Sequence, residues 1–225
     1  MSEATYPSPF NFRKNALLYF SENTPFPDIT DKNYIRAITD EIERLVLASH
    51  GHAAVLFTSY DAMGRVFAEL KKRNLSFPLH RLDKGGVKEI ESFRKSGNGI
   101  LFASGSLWEG IDILGDPLSM LIIVKLPFQV PDAISEYEKT QRPDFRTYLN
   151  SVLVPEMLVK LKQGFGRLIR AERDSGVVAI LDCRINSAGT YRKRVSDTLP
   201  DCRVTSDIED VIGFFDEKKT MEYFK

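Results

Sequence analysis

The chain has 225 residues, 43% of them hydrophobic and 28% charged, so it can bury a sizeable core and is not a disordered tail. Its 31 basic and 31 acidic side chains cancel, which excludes a histone-like protein held to nucleic acid by bulk charge but leaves room for a local basic groove. Two cysteines, Cys183 and Cys202, are too few for a disulfide scaffold, a four-thiolate zinc site or an iron–sulphur cluster. No apolar stretch approaches membrane-spanning length, and the start MSEATYPSPF lacks the apolar region of a signal peptide. A cytoplasmic protein with free thiols and no membrane partner is expected.

Short apolar runs alternate with segments of helical period, the signature of an α/β chain with a mainly parallel sheet covered by helices. ALLYF (16–20) opens the series as a strand. A helix follows from about Asp31 to Ser49, with Ile35, Ile38, Ile42, Leu45 and Val46 on one face and Gly51 as its stop. AAVLF (53–57) is a buried strand, followed by a helix carrying Met63, Val66, Phe67 and Leu70. After a short stretch near Leu79, a third helix places Val87, Ile90 and Phe93 together. GILFA (99–103) and MLIIV (120–124) are the next strands, joined by SGSLWEGIDILGDP. The proline-punctuated LPFQVPDA then leads into an irregular or helical excursion from Ile134 to Leu153. A helix opens at Pro155, a residue suited to the first helical position, and is expected to run through MLVKLKQGFGRLIR to Arg170. VVAIL (177–181) closes the run of buried strands, and a last helix carries Ile208, Val211, Ile212 and Phe215. Without an internal repeat or a low-complexity linker, residues 1–225 are expected to form a single domain.

The helix opening at Pro155 carries the most chemistry. At roughly 100° per residue, Gln163, Arg167 and Arg170 fall within an arc of about 60°. Met157, Leu158, Leu161, Phe165, Leu168 and Ile169 take the opposite side. One reading is a solvated basic face. The other is a pair of arginines aimed at phosphate, which planar guanidiniums suit better than lysine does. Gly164 and Gly166 each lower helix propensity by ~1 kcal/mol, so close backbone approach is expected there.

QGFGRLIR followed by RDSGVVAILDCR resembles motif VI of the DinG/XPD-type superfamily 2 DNA helicases, Q-x-x-G-R-x-I-R ahead of a buried strand ending in D-x-R. GSLWEGIDILGD (105–116) resembles motif V of the same family, with IIVKLPF trailing it. VLFTSYDAM (55–63) is similar to motif IV, and SPFNFRKNALLYF resembles the stretch that enters the second motor domain. The likeness runs from about Ser8 to the end. Each motif falls at the C-terminal end of an expected strand or on the helix before one, and those strand ends are where open α/β sheets bind ligands.

The resemblance implies a second, C-terminal RecA-like motor domain with a three-layer fold. ATP and Mg²⁺ would be held mainly by a first RecA-like domain of the same parent chain. Arg167 and Arg170 would act as arginine fingers on the γ-phosphate, with Gln163 coupling the nucleotide to the domain interface. Glu109, Gly110 and Asp112 would make nucleotide and interdomain contacts. Thr58, Ser59 and Tyr60, together with Gly105 and Ser106, would hold single-stranded DNA, Tyr60 as a stacking platform. Trp108 has two readings, as core or as a second stacking surface. The 225 residues contain no G-x-x-x-x-G-K-[ST] loop and no D-E-A-H-like box, so no ATP turnover is expected from this chain alone. The family's cluster-binding cysteines belong to the first motor domain, and no iron–sulphur cluster is expected here. An alternative is a single-stranded nucleic-acid platform in a DinG-like nuclease fusion that has lost helicase activity.

Smaller signals have structural readings. His50 and His52 flank Gly51 as a helix C-cap and not as a metal site. Lys71, Lys72 and Arg73 read as solvated surface, as does the trio Arg192, Lys193 and Arg194, which has an extension of the DNA path as its second reading.

Overall fold

The computed structural model describes residues 10–83, 86–104, 115–171 and 173–224. Seven strands form one all-parallel sheet in the order β3-β4-β2-β5-β6-β1-β7. They are β1 (Ala16–Phe20), β2 (Ala53–Phe57), β3 (Leu79–Arg81), β4 (Ile100–Ser104), β5 (Met120–Ile123), β6 (Gly176–Ile180) and β7 (Arg203–Thr205). Five of them, β1, β2, β4, β5 and β6, are buried at every position, as expected of parallel strands covered on both faces.

Side chains alternate between two cores. Leu17, Tyr19, Val55, Phe102 and Ile122 meet α2 (Lys32–Ala48), α3 (Tyr60–Lys71) and the last helix, α9 (Ile208–Lys218). Leu18, Phe20, Leu56, Leu101 and Ile123 meet α4 (Val87–Ser96), α7 (Val154–Phe165) and α8 (Arg192–Thr198) on the other side. This is the three-layer RecA-like arrangement. A short α1 (Phe12–Asn15) precedes β1, and α5 (Ala133–Thr140) and α6 (Phe145–Tyr148) make up the excursion after β5. A π-helical turn at Leu149–Leu153 feeds α7.

Local chemistry explains the helix limits. The Asp31 carboxylate accepts the Asn33 amide at 2.8 Å to start α2. At its far end the Gly51 amide reaches back to Val46 O at 2.9 Å, with His50 at φ 49° and Gly51 at φ 92°. A Cβ at position 51 would lie 3.0 Å from the Phe77 ring, so glycine is required there for both conformation and space. Arg73 is not free surface: it pairs with Asp40 at 2.5 Å and with Glu43, tying α3 to α2. In α9 the buried positions are Val211, Phe214 and Phe215, while Ile212 is 37% exposed because it lies about 100° round from Val211. The short edge strand β7 has only partly buried or exposed residues and no apolar run to announce it.

His52 stacks on Tyr223 at 3.9 Å and donates from Nε2 to the Tyr223 carbonyl at 3.0 Å, which pins the C-terminal segment to the sheet. Burial pushes its pKa below the ordinary histidine value, and the Tyr223 carbonyl only partly opposes this. The folded state therefore resists a proton that the unfolded chain accepts near pH 6.5. Stability from this group is present above that pH and lost as pH falls below it. Thermal melts between pH 7 and pH 5 are expected to show a decline that His52→Gln flattens, with a slope of at most about 1.4 kcal/mol per pH unit. A wild-type and variant pair with parallel pH profiles would contradict it.

Candidate functional site

Parallel strands give the sheet two chemically distinct edges. At the carboxyl ends, β2 runs into Thr58 and Ser59, both half-buried, and Ser59 caps α3 by accepting the Ala62 amide at 3.4 Å. Tyr60, the first residue of α3, is 38% exposed. At the same edge β4 ends on Ser104. Gly105, Ser106, Trp108, Glu109, Gly110 and Asp112 follow it and lie outside the described residues.

The end of β6 carries the most tightly built cluster. Asp182 is fully buried and accepts the Leu126 amide at 2.9 Å, which joins the exits of β5 and β6. Arg184 grips the same carboxylate through Nε at 2.8 Å and Nη2 at 2.5 Å, and its guanidinium lies 5.0 Å over the Phe128 ring. Next to it, Glu22 at the exit of β1 accepts the Ser187 amide at 2.8 Å, Arg192 Nη1 at 2.9 Å and the Ser206 hydroxyl at 3.1 Å. These bonds, the Ser187 amide first, hold its carboxyl below the usual range. Arg192 also lies 5.0 Å over Phe20. Its trio is thus not uniform surface: Arg192 is a fastener, Lys193 pairs with Asp197 at 2.5 Å, and Arg194 donates to Asn150 at 2.8 Å.

Gln163, Arg167 and Arg170 are arranged differently from the sequence expectation. The helix α7 starts one residue before Pro155, as expected, but stops at Phe165. Residues 166–168 form a turn closed by Arg167 N to Gly164 O at 3.1 Å and Leu168 N to Phe165 O at 3.1 Å. Arg167 and Arg170 therefore do not share a helical face with Gln163. Glycine's low helix propensity on either side of Phe165 is the physical reason. At Gly166 close approach is not, because a Cβ there would meet only ordinary contacts at 3.4 Å and beyond. Gln163 is exposed, and both arginines are half-buried and engaged. The turn is held by Asp174, whose Oδ2 accepts the amides of Arg170 at 2.9 Å and Ala171 at 2.8 Å.

This turn lies at the amino edge of the sheet. Asp174 stands two residues before β6 opens, and Gly166 and Ile169 line an 860 Å³ cavity with Phe10–Arg13, ahead of β1, and Thr198–Asp201, ahead of β7. The arginine turn and the Thr58–Tyr60 edge are thus separated by the length of the strands, roughly 16 Å for five residues. The strand-end rule locates Thr58 and Ser59 but not the arginines. An α-helix that returns from a β5 exit to a β6 entrance must finish at the opposite edge.

Sequence reasoning missed Asp182, Arg184 and Glu22 as an organising network. The D-x-R at a strand end was the available signal for the first two, and nothing near Glu22 marked it. Among the described residues no helix is long and apolar enough to cross a membrane.

Comparison with known proteins agrees with this geometry. Residues 42–202 match the family model described as the helicase C-terminal domain. The chain is 36% identical over 220 residues to the ATP-dependent DNA helicase YoaA of Haemophilus influenzae, covering 94% of this chain and 33% of that protein. It is 31% identical to the 3'-5' exonuclease DinG of Bacillus subtilis, covering 88% of this chain and 22% of that one. The chain thus spans a third or less of these relatives. Among solved structures, apo XPD superposes with a TM-score of 0.66 at 20% identity, over 86% of this chain and 40% of that one. The C-terminal domain of the DEAD-box protein Dbp5 gives 0.54 at 14% identity, over 92% and 98%. The sheet, the Gln163–Arg170 segment ahead of β6 with Asp182 and Arg184 just past its end, and these likenesses converge: the chain belongs to the helicase C-terminal domain family.

Proposed function

We propose that residues 1–225 form a single domain, the second motor domain of an ATP-dependent DNA helicase. It works against a first RecA-like domain of the same parent chain, which holds ATP and Mg²⁺. Arg167 and Arg170 reach across as arginine fingers to the γ-phosphate, and Gln163 couples that contact to the domain interface. Thr58, Ser59 and Tyr60 hold single-stranded DNA together with Gly105 and Ser106. Glu109, Gly110 and Asp112, on the connection between β4 and β5, make nucleotide and interdomain contacts.

The observation that supports this reading is the division of polar groups between two sheet edges. A rigid sheet with guanidiniums at one edge and strand-binding hydroxyls at the other can face nucleotide and DNA at once. A change at the phosphate then moves the DNA edge as one body. The Asp182–Arg184 and Glu22–Arg192 contacts stiffen the DNA-facing edge by fastening the exits of β1, β5 and β6.

With a net charge of zero, the chain is expected to bind single-stranded DNA weakly. Its log affinity should fall with log salt by roughly 0.7 for each phosphate contact. Fluorescence anisotropy over a salt series, run beside a steady-state ATPase assay, tests the reading. Weak, salt-dependent binding without ATP turnover is expected. Duplex preference, salt-insensitive binding or turnover that survives repurification would contradict it.

The likeness to the Bacillus subtilis exonuclease supports a second reading, a single-stranded DNA platform within a nuclease fusion that does not unwind. DNA-stimulated ATPase activity in the full-length parent protein separates the two, since the platform needs none.

A further inference from the structure

Strand order singles out one crevice in the carboxyl edge. From β2 the chain leaves through α3 toward β3 and β4, whereas from the neighbouring β5 it leaves through α7 toward β6. The two connections also cover opposite faces of the sheet, α3 on one and α7 on the other. Such a switch point opens a crevice beyond the strand ends, where doubly wound sheets bind ligands. Here the crevice is a 350 Å³ cavity, in which Phe57 at the end of β2 and Thr58 and Ser59 just past it face Val124 and Lys125 just past β5. That volume is at the small end for small-molecule sites, which run from about 300 to 1,000 Å³. The segment after β1 forms its outer lip, with Phe26 67% exposed and Asp28 beside it.

We propose that this cavity and its lip form a subsite for one nucleotide of single-stranded DNA, its base stacked on Phe26 at the lip and its phosphate in the cavity toward Thr58, Ser59 and Lys125. The assignment rests on the single-strand reading above and names the contact within it. An exposed phenylalanine at the mouth of a cavity offers a π-face that any base can cover. One ammonium and two hydroxyls match a single phosphate diester and not a triphosphate, which needs several cationic donors. The Asp28 carboxylate repels phosphate from the lip and so orients the nucleotide, base outward over Phe26 and phosphate inward toward Lys125.

The test is anisotropy of the 225-residue chain with a labelled oligodeoxycytidine and with a strand of equal length carrying abasic sites. Wild type is expected to prefer the base-bearing strand. Phe26→Ala should weaken that binding by about five- to hundredfold, the range for losing one base–aromatic stack, and erase the preference. Phe26→Trp should keep it. Because Phe26 lies at the surface, circular dichroism should show the same fold in both variants. If Phe26→Ala binds both strands as wild type does, or wild type does not distinguish them, the subsite is wrong while the single-strand reading survives. If wild type binds neither strand, the single-strand reading itself fails and the subsite with it.

Discussion

Arg170→Ala, introduced into a full-length protein that joins this domain to the proposed phosphate-loop domain, is expected to lower kcat by about 10³–10⁵. That corresponds to roughly 4–7 kcal/mol of barrier. The guanidinium is proposed to meet charge on the transferring phosphoryl group, which develops in the transition state, so nucleotide affinity should change far less than turnover. Folding should be spared, because Asp174 holds this turn through the Arg170 amide, which the variant keeps. Arg170→Lys should restore little, since one ammonium cannot replace a planar forked donor. Arg167→Ala should behave alike. Measuring kcat, nucleotide Kd and Tm together decides the matter, and near-normal turnover in both alanine variants would remove the arginine fingers from the mechanism.

Asp182→Ala should show the opposite pattern, a large loss of stability without direct involvement in chemistry. The fully buried carboxylate satisfies the Leu126 amide and both gripping nitrogens of Arg184, whose side chain is only 23% exposed. Removing it leaves a mostly buried guanidinium and the amides of Leu126 and Arg184 without their acceptor, a change that costs about 3–5 kcal/mol. For a domain of this size the Tm should fall by roughly 6–20 °C. Arg184→Ala should cost less, because the carboxylate keeps the Leu126 and Arg184 amides. Differential scanning calorimetry on the two variants gives the order, and a Tm for Asp182→Ala within a degree or two of wild type would show that the exits of β5 and β6 are fastened by something else.

The buried strands were legible because a parallel strand covered on both faces must be apolar throughout. ALLYF, AAVLF, MLIIV and VVAIL announce themselves within a residue of their ends. The long second helix was equally legible, since Asp31 and Gly51 act on their own neighbours. Each of these depends on interactions within a few residues of chain.

The tertiary structure alone decided where these side chains sit. Periodicity carried the Pro155 helix on to Arg170, but the apolar spacing of Leu168 and Ile169 persists in the turn because both still pack under the sheet. Hydrophobic spacing records burial, and here burial outlasted the helix by four residues. The local pattern placed the arginines only on a helix ahead of a strand, which leaves their edge of the sheet open. Which edge a loop occupies depends on strand direction and on the side to which each connection crosses, neither of which leaves a local mark. Glu22 meets Arg192 across 170 residues, and Arg184 reaches Phe128 from the neighbouring strand exit. The crevice between β2 and β5 likewise exists only because the chain leaves those neighbours in opposite directions. Residue chemistry set what each group can bind, and the crossing pattern of the sheet set which groups act together.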